Sequence, residues 1–231
     1  RTAGRPELVG LSSEDEDQDP CGSMPFLRIM GIKSNNLGGR GPDSGVPEGI
    51  FYEAVAHNCG LNNSNDLQIR MNAVSEDYFA TGAGEGTNVT GAYDPEWPKV
   101  NGITGHFGTI NIHPGTNVTV RLSAYDATEE KPIELPVFAL TFFDLDTGRD
   151  GKHSVEFLKI NNFKKCFVTN ETEIEIREEE AGAFKFTATV EGTGDDNPEN
   201  PLQLNVLQKN RAVSCVFEGQ NEVVFELGAS P

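Results

Sequence analysis

Four carboxylates crowd one short stretch in the second half of the chain. Asp144, Asp146 and Asp150 stand around Gly148 and Gly151, and Glu156 follows six residues after Asp150. Carboxylates this dense are suited to a hard cation. Calcium takes six to eight oxygen ligands, with acids supplying charge and backbone carbonyls the remainder. Asp144 and Asp146 share strand parity, so in an extended chain they point to the same side about 7 Å apart. The run from Asp146 to Gly151 approximates the start of a DxDxDG loop. Gly148 replaces its middle acid and the twelfth position is Phe157, which excludes an EF-hand. The competing reading is that Asp and Gly are there because a tight turn needs them.

The elements that must position these acids are strands. Val137–Leu145 is apolar on both parities and reads as a central strand covered on both faces. Ser154–Ile160 reads as its return strand, which makes the stretch a buried hairpin with the acids at its tip. Strands are also expected over Phe26–Lys33, Ile50–His57, Leu67–Val74, Phe107–His113 and Thr116–Tyr125. Further runs are Phe163–Thr169, Thr172–Arg177, Ala183–Glu191, Arg211–Glu218 and Glu222–Leu227. Alternation is clear in Phe184, Phe186, Ala188, Val190 and in Val213, Cys215, Phe217. No long 3.6-residue period competes with them. The predicted fold is all-β, an antiparallel β-sandwich of jelly-roll type with long loops. Residues 1–25 form an acid-rich, extended N-terminal arm, solvated by its run of like charges. Residues 26–105 form a β and loop region, either separate or part of the same sandwich, and residues 106–231 the core sandwich.

The chain has 231 residues and a formal charge of −18. That balance repels nucleic acid and anionic lipid and favours divalent cations or basic partners. Cys21, Cys59, Cys166 and Cys215 are widely spaced, unlike metal knuckles or thioredoxin-type pairs. They fit two disulfides in an oxidising compartment. Of three possible connectivities, Cys21–Cys59 with Cys166–Cys215 is favoured, because the latter two lie inside late strand-like runs. Sequons at Asn62, Asn88, Asn117 and Asn170 agree with that compartment. No signal peptide and no apolar run long enough to span a bilayer is visible, so the chain reads as a processed form or a fragment of a secreted or cell-surface glycoprotein.

The strand ending FFDLD, the glycine-rich tip, Glu156 on the return strand and the later GTGDDNP loop at 192–198 resemble two groups of extracellular β-sandwich domains. These are surface proteins of algae and other protists, and adhesin-like bacterial repeats. The resemblance covers roughly Phe107 to Leu227. It implies a sandwich with an assembly or adhesion role and no catalytic residues.

The expected function is therefore non-catalytic: a calcium-stabilised structural or assembly subunit of an extracellular coat or fibre. Its partners would be copies of itself, other extracellular proteins or glycans. A lectin is the first alternative, with Tyr93 and Trp97 around Asp94-Pro95 stacking on a sugar ring. A glycoside hydrolase is the second, since acids such as Glu173, Glu175, Glu178, Glu179 and Glu180 are plentiful. No GxSxG elbow, HExxH or phosphate-cradling loop accompanies them.

Overall fold

The computed structural model describes residues 7–11, 26–57, 66–74, 93–95, 101–201 and 203–231. Its elements in chain order begin with β1 (Glu7–Leu11), β2 (Phe26–Asn36), β3 (Gly49–His57), β4 (Asp66–Ala73) and β5 (Gly102–Thr104). Next come β6 (Phe107–Thr109), β7 (Asn117–Asp126), β8 (Leu135–Phe142), β9 (Glu156–Ile160) and β10 (Lys165–Thr169). The last are β11 (Ile174–Glu178), β12 (Phe184–Ala188), a short helix α1 (Val206–Asn210), β13 (Val213–Gln220) and β14 (Glu222–Ala229). One sheet has the order β1-β10-β13-β8, the other β11-β12-β9-β14-β7-β4-β3-β2, and β5 pairs with β6 alone. All pairings are antiparallel except β1 on β10. The two large sheets stack as a sandwich.

Alternation explains the core. Phe184, Phe186 and Ala188 of β12, Val223 and Phe225 of β14, and Val213, Cys215 and Phe217 of β13 are buried on the facing sides. Phe142 meets Phe225 edge-on across the gap at 4.9 Å, so the sheets touch through aromatic rings. Packing of this kind contributes about 0.5–1.5 kcal/mol per aromatic pair beyond area burial. Cys166 and Cys215 are directly opposed on β10 and β13 and are joined by a disulfide. Both are fully buried, so the bond lies in the core and ties neighbouring strands of one sheet rather than the two sheets. Cys21 and Cys59 lie outside the described residues.

Three expectations are corrected. The stretch from 136 to 160 is not a hairpin: β8 pairs with β13 in the smaller sheet, whereas β9 pairs with β12 and β14 in the larger one. The acid-rich segment between them is a crossover from sheet to sheet. β8 is also an edge strand rather than a central one, with Phe138, Leu140 and Phe142 facing the core and Val137 and Ala139 exposed. Its second apolar parity faces outward instead of a second layer. Finally, residues 7–11 of the expected solvated arm form β1 on β10.

The outward row of the larger sheet is less wet than alternation alone implies. Gln68, Thr119 and Ser123 are buried although their neighbours point inward. A long side chain covers Gln68: the Arg70 guanidinium donates to it and lies over the rings of Phe51 and Tyr125, 5.1 and 3.8 Å from their centroids. Residues 26–57 and 66–74 supply β2, β3 and β4 to this sheet through the β4–β7 pairing. Among the described residues, no helix is long and apolar enough to cross a membrane.

Candidate metal centre

The crossover places the acids. After β8 the backbone turns at Asp144, whose φ of 64° lies in the left-handed region that Asp tolerates better than most residues. Leu145 then plugs into the core, and its N–H donates to the Arg211 carbonyl at 3.2 Å. Thr147 bridges in parallel to Glu191. Its N–H donates to the Val190 carbonyl at 3.0 Å, and the Gly192 N–H donates back to the Thr147 carbonyl at 2.9 Å. Asp144 and Asp146 are thereby clamped beside the loop that follows β12.

That loop carries the third acid. Asp196 is fully buried; its Oδ1 accepts from the Thr193 N–H at 3.1 Å and its Oδ2 from the Arg211 guanidinium. Arg211, 3% exposed, also donates from Nε to Glu173 at 2.7 Å. The short helix α1 sets Arg211 in place. Asn205 and Gln208 form a reciprocal capping box, and the Arg211 N–H donates to the Leu207 carbonyl at 3.2 Å. Gln208 Nε2 in turn donates to the Asn197 carbonyl at 3.1 Å, tying helix to loop.

Asp144, Asp146 and Asp196 form a group that could hold a metal ion, with one carboxylate oxygen from each within 4.8 Å of the others. The donor set is all oxygen and therefore hard. Calcium–oxygen distances of about 2.4 Å place ligands on opposite sides of the ion about 4.8 Å apart, so the spacing fits one ion. Gly192 is part of the construction: a Cβ there would collide with Asp146 Oδ2, so only glycine lets the carboxylate in. Glu156 borders the group, its Oε2 accepting from the Asp146 N–H at 3.3 Å.

Electrostatics mark Asp146 as an acid that its surroundings keep from ionising easily. Burial, then the charges of Asp144 and Asp196, push its carboxyl up to about 7. For Asp196, burial acts upward, but backbone N–H donors and the Arg211 charge outweigh it and hold the carboxyl below its ordinary value. Glu173 and Asp196 raise Arg211 against the opposing effect of burial.

The sequence-derived ligands divide. Asp144 and Asp146 converge, Glu156 stands beside them, and Asp150 does not join. Its carboxylate accepts from the N–H groups of Lys152 and His153, each at 2.9 Å, and from the His153 ring. These donors, the His153 and Lys152 amides first, bring its carboxyl down to about 2. Asp150 is thus the turn former that the competing reading required, and Asp196, some fifty residues further on, takes its place.

The sugar-stacking expectation fares differently. Tyr93 is 2% exposed; its hydroxyl accepts from Asn101 Nδ2 at 2.6 Å and donates to the Asn111 carbonyl at 3.1 Å. Gly38 packs against its ring. The ring is a core element with no face to offer a sugar. Trp97 lies outside the described residues, as do the sequons at Asn62 and Asn88. Asn170 is exposed at the turn between β10 and β11, whereas Asn117 is half-buried and donates to Glu226 at 3.0 Å. Among the acids considered for hydrolysis, Glu175 pairs with Arg177 and Glu179 with Lys159, both at 2.8 Å.

No protein-family model matches the chain, and no curated protein matches it in sequence. Among solved structures, the N-terminal domain of the Streptococcus gordonii adhesin Sgo0707 is similar over 90% of this chain and 53% of that one, with 11% identity and a TM-score of 0.42. The chain thus spans about half the length of that structure.

Proposed function

We propose that this chain is a non-catalytic extracellular β-sandwich domain whose aspartate group holds calcium, and that it serves as a structural or assembly subunit at a cell surface. One observation carries the reading. Three carboxylates from two segments about fifty residues apart each place one oxygen within 4.8 Å of the others, beside the buried Arg211 guanidinium that Asp196 accepts from. Like charges this close cannot all ionise without a proton or a cation between them. At neutral pH a divalent cation would supply further positive charge to the group. The ion would also clamp the crossover to the β12 loop and hence one sheet to the other. The buried disulfide and the exposed sequon at Asn170 support an extracellular setting.

Calorimetric titration of calcium into chelator-stripped protein, with melting followed in parallel, tests this. One bound ion and a raised Tm are expected, with both lost in Asp146→Asn. Absence of binding at neutral pH would remove the calcium reading and leave the sandwich.

A further inference from the structure

Among the described residues, the two large sheets end on four strands, β1 and β8 on the smaller and β2 and β11 on the larger. Open edges invite other chains, and proteins blunt them with charges, bulges or short length. β11 exposes Glu175, Arg177 and Glu178. β2 carries exposed Lys33 and two register shifts, at Ile29/Gly31 and Ile32/Ser34. β1 is only five residues long. β8 has almost none of these protections. Its eight residues, LPVFALTF, include no charge, and its register on β13 is unbroken, with Pro136 near one end as the sole interruption. Among the described residues, no backbone hydrogen bond outside the β13 ladder uses residues 135–142.

Both faces of β8 remain incompletely covered. Phe138, Leu140 and Phe142 face the core yet stay only partly buried because the sheet stops beside them. On the outer face Val137 is 45% exposed and Ala139 is exposed as well. A strand laid along this edge would cover both rows and satisfy the outward N–H and C=O groups. Charge restricts what that strand can be. The chain carries −18, so copies repel wherever acids face each other. An acid set against Phe138 or Leu140 would also be stripped of water. Of the four edge strands, β8 of a second copy meets the requirement, being uncharged, unbroken and of matching length.

We propose that two copies pair antiparallel through β8, about a two-fold axis near the middle of the strand, and so join their smaller sheets into one continuous sheet. The contact is isologous, so it closes as a dimer and uses up the unprotected edge. This deepens the assembly part of the function proposed above and is independent of the cation.

Sedimentation velocity on the full chain over a concentration series, with calcium and with chelator, tests it. A reversible dimer is expected in both conditions. The double variant Val137→Lys/Ala139→Lys, altered only at exposed outer positions, should raise the dissociation constant on the order of tenfold or more through facing like charges. Ala139→Cys should give a crosslinked dimer on a non-reducing gel that wild type does not. A chain that stays monomeric, as it would if another segment of its own covered β8, overturns the proposal. So does a dimer that survives both lysines and fails to crosslink. Calcium titration of the lysine variant keeps the two readings apart, since binding there is unaffected if only the dimer is wrong.

Discussion

Replacing Asp146 by Asn should change how stability depends on pH, and the structure fixes both sign and window. The folded carboxyl is raised to about 7 by burial and by Asp144 and Asp196, against 3.8 for the unperturbed group. Between those values the native state holds a proton that the unfolded chain has released. Cation-free protein therefore loses stability as pH rises through that window. At 1.36 kcal/mol per pH unit the displacement corresponds nominally to ~4 kcal/mol. Asp146 is only partly buried, and solvent screening reduces the expected contribution to about 1–2 kcal/mol. Urea unfolding in calcium-stripped buffers from acidic to neutral pH measures it. Glu226 is displaced in the same direction by burial, so the informative quantity is wild type minus Asp146→Asn. The variant should lack part of the decline and exceed wild type at neutral pH, and calcium should restore the wild type alone. Parallel curves for the two proteins would refute the reasoning, because they would mean that Asp146 carries no proton the unfolded chain lacks.

Other outcomes follow from single contacts. Arg211→Met strands the buried Asp196 carboxylate and should cost about 3–5 kcal/mol in chemical denaturation. Gly192→Ala drives a methyl into Asp146 and should abolish calcium-dependent Tm elevation while leaving far-UV circular dichroism β-rich. Phe225→Ala removes a fully buried ring that meets Phe142 across the sheets, for about 3–5 kcal/mol in urea unfolding. Reducing Cys166–Cys215, 49 residues apart in sequence, should lower stability by about 2–4 kcal/mol, with denaturant present to expose the buried bond.

Strand positions were legible because period-two patterning is a local signal. Phe184, Phe186 and Ala188 announce their strand and their buried face without reference to any other part of the chain. What β8 pairs with is not local. Apolar residues on both parities of 137–143 suit a covered central strand and an unprotected edge equally well, and only topology separates them. Asp150 misled for the same reason: turn geometry and metal ligation both favour Asp beside Gly. The GTGDDNP loop carries Asp195 and Asp196, which read equally as cation ligands or as turn formers, and nothing in its sequence says that Asp196 folds back onto Asp146. The short helix that sets Arg211 had a readable signature in Asn205 and Gln208, three apart, though five residues give too short an apolar pattern to stand out.

The crossover joins these observations. A tight hairpin at 144–156 would leave its acids at a solvated tip, where mutual repulsion is weak and no counter-ion is needed. Carrying the chain from the smaller sheet to the larger instead lays Leu145 into the core and draws Asp146 against the β12 loop. Repulsion that water would have screened is then felt at short range. The same displacement leaves β8 at the end of its sheet, since the strand that would have hairpinned beside it has gone to the other layer. One topological choice thus produces both the electrostatic demand of the aspartate group and the unprotected edge. A variant forced to keep residues 144–156 as a hairpin should lose both calcium response and self-association together.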